Sequence, residues 1–251
     1  MYGHGALKAP ETMLVNVVIY ENTTKIRSIF PPYIDWRPQL LPVRHQMDSP
    51  ICVCFAIACM KEWQEQINCK KKCYFSPQFI YSKKHYEPIG MYTYDALSVV
   101  KEYGCALEES YSFKSEDVYT LDIMTQAAKF KITSFMMVTT VNGLKQALID
   151  NGICILALPV YNYSKKFWIN EIDGKLIGGH TVAVVGYDDK RNSFIIRNSW
   201  GKEWAHHGYA HFPYSDWDVQ WECYTAINDP DLISNGSIKK KKKKLSNCII
   251  S

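Results

Sequence analysis

The hydrophobic pattern of this chain changes its period once, near residue 128, and that change limits the folds open to it. Ahead of it, apolar residues recur three and four apart, the spacing that places side chains on one face of a helix. From Cys52 to about Gln66, Phe55, Cys59 and Trp63 stand four apart, as in a partly buried helix. In FSPQFIYSKK, Ser76 can cap a helix that begins at Pro77. YTYDALSVVKEYG puts Ala96, Leu97, Val100 and Tyr103 on one face, with Gly104 as its stop. Beyond residue 128, KFKITSFMMVTT, ICILALPVY, HTVAVVGY and SFIIRNSW are short β-rich runs, broken by one helix expected from Asn142 to Asn151. DDKRN reads as a hairpin loop. A helical half followed by a β half predicts an α+β fold with a groove between the halves.

With 251 residues and 47% hydrophobic side chains, the chain can fill a core of that size. Its net charge of +4 misleads as an average, because Lys239–Lys244 alone contribute six positive charges and leave the rest at −2. A nearly neutral body gives no reason to expect nucleic acid as a partner. The first residues, MYGHGALKAPETMLVNVVIY, show no basic start followed by a leader-length apolar stretch, and no run approaches the roughly 20 apolar residues of a membrane span. A soluble cytosolic body, expected to be a monomer, is the reading. Nine cysteines, at 52, 54, 59, 69, 73, 105, 154, 223 and 248, form an odd set without a tight pattern, so free thiols are expected. Zinc held by Cys52, Cys54, Cys69 and Cys73, with His206 or His207, is the rival. The spacings do not fit paired zinc knuckles, and Cys52 and Cys54 would face different sides of a helix. No metal and no cofactor are expected.

A cysteine nucleophile needs its thiolate, which a helix N-terminus and a proton-accepting histidine can supply. Cys52 stands where a helix should begin, after Ser49-Pro50-Ile51. His180, in GGHTVAVVGY, follows it by 128 residues, and Asn198, in RNSWGKEW, by 146. These separations are those of the papain and cathepsin pattern.

The chain resembles the papain family of cysteine peptidases over about Pro32 to Tyr214. The resemblance rests on YIDWRPQLLPVRHQ, GMYTYDALSVVKEYGCALEESYSF, GGHTVAVVGYDD and FIIRNSWGKEWAHHGYAHF. It implies a two-subdomain, papain-like fold, the second half β-barrel-like, with the active-site cleft between. The peptidase domain would span 32–230 (helical half about 45–127, β half about 128–230). Residues 1–31 are then an N-terminal extension, read either as a short propeptide or as a strand packed on the body, and 231–251 a disordered tail.

The resemblance also assigns roles. The family's oxyanion glutamine stands six residues before the nucleophile, which makes Gln46 the glutamine and Cys52, not Cys54, the nucleophile. Cys54 takes the place of an alanine and reads as a small buried residue. His180 would exchange protons with Cys52, and Asn198 would orient the imidazole. Trp200 would shield that contact, and Gly90, Met91 and Gly179 would line the peptide cleft, with Met91 narrowing the pocket for the residue two ahead of the cleaved bond. The implied Cys-His ion pair would hold the thiol well below its free pKa. The function implied is hydrolysis of peptide bonds in a peptide or protein substrate through an acyl-enzyme. An acyl transferase and an inactive peptide-binding module are the alternatives.

Three features depart from the family. Ser49 replaces a cysteine, the partner of that cysteine falls near Pro88, and another disulfide position falls on Lys83, so the usual bridges cannot form. That suits the reducing cytosol. The last four residues, Cys248-Ile249-Ile250-Ser251, match a prenylation box whose terminal serine favours farnesyl. One lipid chain holds a membrane only marginally and needs a second signal, which Lys239–Lys244 would supply. The expected location is the cytosolic face of a membrane, and the Asn22, Asn162 and Asn235 glycosylation triplets are expected to go unused.

Overall fold

The computed structural model describes residues 2–70, 72–115, 118–171 and 174–228. Its helices are α1 (Glu11–Leu14), α2 (Tyr20–Thr23), α3 (Cys52–Cys69), α4 (Pro77–Ser82), α5 (Thr93–Glu102), α6 (Leu121–Ala127) and α7 (Val141–Asp150). Its strands are β1 (Ala6–Leu7), β2 (Tyr33–Asp35), β3 (Met91–Tyr92), β4 (Ser134–Met137), β5 (Cys154–Val160), β6 (Gly178–Asp188), β7 (Ser193–Arg197), β8 (Tyr209–Pro213) and β9 (Glu222–Ile227).

The first half is organised by α3, whose first 14 residues are all buried. Cys52 to Met60 are uncharged and almost wholly apolar, as suits a helix in a core, and helices and sheet pack around it. The helix runs three residues past the expected Gln66 and stops at Lys70, a left-handed cap (φ 61°). Ser76 caps α4 by accepting from the N–H of Phe79, with Pro77 in the first turn. Gly104, at φ +85°, follows α5, where a side chain would be strained and would also strike the carbonyl of Ala127. Thr140 caps α7 through the N–H of Gly143.

The second half is a seven-stranded sheet ordered β4-β9-β5-β6-β7-β8, with β2 paired to β6 off that path. All its pairings are antiparallel. The KFKITSFMMVTT run yields only the four-residue β4, because Lys131 to Thr133 lead into it without pairing as strand. The hairpin at DDKRN turns through a single 3-10 turn, with Asn192 left-handed at φ 47°. β6 is buried over nearly its whole length and packs against α3, which brings its start beside the N-terminus of that helix.

Residues 17–32 are bonded to the sheet side of the body. The Tyr20 side chain is buried and donates to Asp150 at 2.9 Å. Glu21 Oε1 accepts from the N–H of Thr139, the N–H of Thr140 and the Thr140 hydroxyl, each at 2.9 Å. Arg27 pairs with Asp150 at 3.1 Å, and the carbonyls of Pro31 and Pro32 accept from Tyr187 and Asp189.

Candidate active site

Cys52 is the first residue of α3 and is fully buried. His180 lies on β6, paired across the sheet with Leu158 of β5, and is also fully buried. Asn198 follows directly on β7. The His180 Nε2 atom lies 2.7 Å from Asn198 Oδ1. An amide oxygen can only accept, so Nε2 carries the proton and Nδ1 is left with its lone pair. Trp200 covers this contact, with ring centroids 4.4 Å apart and 31° between the planes, and Phe167 meets the imidazole edge-on at 5.4 Å. Asn198 is held in turn, its Oδ1 also accepting from the N–H of Ser199 at 2.7 Å.

Gln46 is fully buried and fixed from both ends. Its Oε1 accepts from the Ser199 hydroxyl at 2.5 Å, its Nε2 donates to the Ser49 carbonyl at 2.7 Å, and its backbone N–H bonds Ser199 O. Ser199 was not among the residues singled out in the sequence, although it sits between the matched Asn198 and Trp200. Behind Asn198, Glu62 of α3 is buried near Arg197 and 3.6 Å from Arg44. Burial pushes its carboxyl up to about 7, while the two guanidinium groups pull the other way.

The cleft between the halves holds residues of this same chain. The Gly3 N–H bonds Met47 O, and Trp200 Nε1 donates to Gly3 O at 2.8 Å. Gly5 spans the groove, its N–H bonding Gly179 O and its carbonyl accepting from the N–H of Met91 at 2.8 Å. Ala6 and Leu7 then pair in parallel with Met91 and Tyr92. Tyr2 stacks on Trp200 at 5.0 Å, and Ala9 is buried farther along. Glycine is required twice here. A Cβ on Gly3 would stand 2.2 Å from Ser49 O, and one on Gly5 2.1 Å from Pro50 O. Gly90 and Gly179 are equally tight, at 2.4 Å from Gly5 O and 2.2 Å from Ala6 O. Gly90, Met91 and Gly179 thus all lie against the segment. Met91, however, does not narrow the cleft with its side chain. That side chain turns inward, with its sulfur 3.7 Å from Cys54 Sγ, and only its backbone faces the groove.

The segment reverses the expected electrostatics. Backbone groups of Thr181, Gly5, Val53 and Ala6 hydrogen-bond toward the Cys52 sulfur and favour a thiolate, but burial outweighs them and pushes the thiol up to about 11. Burial likewise lowers His180 to about 3, against the opposing hydrogen bond from Asn198. His180 Nδ1 has no hydrogen-bond partner among the described residues. Both shifts favour a neutral thiol and a neutral imidazole over the expected ion pair, because burial takes from each group the water that would solvate its charge. Cys52, Cys54, Cys59, Cys105, Cys154 and Cys223 are free, and Cys54 is fully buried as expected.

The chain is similar to known proteins over most of its length. Residues 30–226 match the profile described as "Papain family cysteine protease". Mouse cathepsin K is 28% identical over 193 residues, 72% of this chain and 59% of its own length. Papain from Carica papaya is 24% identical over 189 residues, 71% of this chain and 54% of its own. The chain thus spans somewhat more than half the length of these relatives. Among solved structures, xylellain, a cysteine protease from Xylella fastidiosa, superposes with a TM-score of 0.74 at 22% identity, covering 91% of this chain and 96% of its own. Digestive procathepsin L 3 of Tenebrio molitor larval midgut gives 0.68 at 19% identity, covering 90% and 75%. Both share the fold described above, and with the profile covering far more than half of its residues, this chain belongs to the papain family of cysteine proteases.

Proposed function

We propose that this chain is a cysteine endopeptidase that acts on peptide or protein substrates. The observation that carries the reading is the His180–Asn198 contact at 2.7 Å beneath Trp200, set on β6 beside the helix end that presents Cys52. It leaves Nδ1 of His180 free to take the Cys52 proton. Once water enters the cleft, the thiolate attacks the substrate carbonyl carbon and the amine leaves with the proton from His180. Water then hydrolyses the thioester. The developing oxyanion would bind the backbone N–H of Cys52 and Gln46 Nε2, which must first leave Ser49 O; losing such a donor typically costs about 10²–10³ in rate.

The test is cleavage of a mixed fluorogenic peptide library in reducing buffer by the chain lacking residues 1–9, compared with its Cys52→Ala and Cys54→Ala forms. Activity that dies with Cys52 and survives loss of Cys54 supports the reading. Silence of the starting protein would favour a peptide-binding module, and products that incorporate an added amine would favour an acyl transferase.

Tethering to the cytosolic face of a membrane is the finer part of the proposal. It rests on Cys248 and Lys239–Lys244, which lie outside the described residues. Expression with labelled isoprenoid should mark the wild type; equal labelling of Cys248→Ser would refute it.

A further inference from the structure

Two elements lead away from the cleft and end at one lysine-rich face. α3 starts at Cys52 and ends at Cys69, and its 18 residues span about 27 Å. β9 starts at Glu222, whose Oε1 accepts from the backbone N–H of Ala9 in the cleft segment at 3.2 Å, and it runs to Ile227. The far end of β9 is fastened to the second half of α3. Gln64 Nε2 donates to Ala226 O at 3.2 Å, the buried Lys61 ammonium donates to Asn228 Oδ1 at 2.7 Å, and Asn228 Nδ2 donates to Glu65 Oε1 at 3.1 Å. From Asn228 the chain continues toward Lys239–Lys244 and Cys248.

Exposed lysines gather around that point. Lys70 caps α3 a little over one turn beyond Glu65, and Lys72 follows it. Thr133 donates its hydroxyl to Asn228 O at 3.1 Å and its N–H to Ile227 O at 2.7 Å, which puts Lys131 two residues away. The N–H of Ile132 bonds Val100 O at 3.4 Å, which brings Lys101 beside Lys131. All four lysines are exposed, as is Lys129, and among the described residues none of the five forms an ion pair. Glu102, next to Lys101, is the exposed acid among them. Like charges gathered on one face repel one another and do nothing for the fold, whereas an anionic surface supplies their counter-charge.

We propose that this face, with Lys70, Lys72, Lys101, Lys129 and Lys131 around Asn228, docks on a membrane surface of anionic lipid, so that the cleft opens on the opposite side. The proposal rests on the tethering reading and names the face that the tethered body turns to the bilayer. The chain leaves the body at Asn228 on this same face, so the lysines of the body and those of the tail meet one surface together. Closeness matters, because the attraction of each lysine falls off within a Debye length of about 8–10 Å. With Cys52 at the other end of α3, a docked enzyme takes its substrates from solution, or from protein segments that stand clear of the bilayer.

The test is co-sedimentation of the full chain, without attached lipid, with vesicles of equimolar phosphatidylserine and phosphatidylcholine and with vesicles of phosphatidylcholine alone. The wild type should bind the first and not the second. Lys70→Gln, Lys101→Gln and Lys131→Gln together should weaken binding about tenfold or more, since one lysine at an anionic surface is worth roughly fivefold. Lys165→Gln, Lys166→Gln and Lys202→Gln together, exposed lysines of the loops around Trp200, should leave it nearly unchanged. Equal loss in the two triple variants, or no loss in the first, would overturn the proposal and leave the tethering reading to its isoprenoid test. A wild type that does not prefer phosphatidylserine, or that binds single-stranded RNA more tightly than these vesicles, would overturn it as well. Lysine-dependent vesicle binding without isoprenoid at Cys248 would support the docking face and sink the tether. Amide exchange of the wild type gives a readout that needs no substitution: the vesicles should slow it at 66–70 and 128–133, and slowing at 199–207 instead would refute the orientation.

Discussion

Acid should open this protein without cutting it. In the closed form burial holds His180 at about 3, against an ordinary value of 6.5, so the closed form binds fewer protons than an open one across that interval. The preference for closure contributed by His180 is fully present above pH 6.5 and is lost as the pH falls from 6.5 toward 3, at about 1.4 kcal/mol per pH unit. Between pH 7 and pH 5 the closed-to-open ratio should fall about 25-fold, roughly 2 kcal/mol. His4, half-buried and also lowered by burial, adds in the same direction. Cys52 is raised from 9 to about 11 in the closed form, so this dependence requires that Cys52 keep its proton on opening; an open thiolate–imidazolium pair would hold the same one proton as the closed neutral pair and flatten the dependence. The assay is the rate of Cys52 modification by a small neutral alkylating agent, taken as the ratio of the full chain to the chain lacking residues 1–9. Dividing by the truncated chain removes the intrinsic pH dependence of the thiol, and circular dichroism at each pH confirms that the body stays folded. The ratio should rise toward one as the pH falls. A ratio that is the same at pH 7 and pH 5 would refute the argument that desolvation of His180 is coupled to closure.

Gly5→Ala should release the segment, since its Cβ would meet Pro50 O at 2.1 Å, backbone that cannot yield; modification of Cys52 should speed up about tenfold or more, as loss of one or two hydrogen bonds implies. Removing residues 1–31 should behave differently from removing 1–9. It also takes away the buried Tyr20 and the triple acceptor Glu21, a further loss of about 4 kcal/mol or more, and the melting temperature should fall about 10 °C below that of the shorter truncation. Asn198→Ala should lower kcat/KM about tenfold or more by leaving His180 Nε2 without its acceptor, with its pH profile altered where a merely structural role would leave it alone.

Much of the body could be read in the sequence because it is local. The caps of α4 and α5, the buried face of α3 and the runs of β5, β6 and β7 all follow from residues within a few positions of one another. His180 and Asn198, which meet at 2.7 Å, could be picked out because each lies in a matched block, and Gln46 ends another, from which Cys52 was counted. The cleft segment was less so. Its signal is MYGHG, two glycines one residue apart, which says that backbone will come close to something without saying to what. The contacts of Glu222 with Ala9 and of Glu21 with α7 join positions more than 100 residues apart, beyond any periodicity. β8 and β9 carry shorter apolar runs interleaved with polar residues, and pairing with β7 and β5 defines them more than their composition does.

The same distance in sequence explains why the expected charge state failed although the expected residues came together. Cys52 has what a thiolate wants: the start of an 18-residue helix and four backbone groups aimed at its sulfur. A helix terminus contributes about 0.3–2 kcal/mol to a nearby anion, whereas taking a charge out of water costs several. With the segment in place, the larger effect wins, and the thiol rises instead of falling. The residues that hold the segment in place, Gly3, Gly5 and Ala6, do so through backbone groups and carry no reactive side chain of their own.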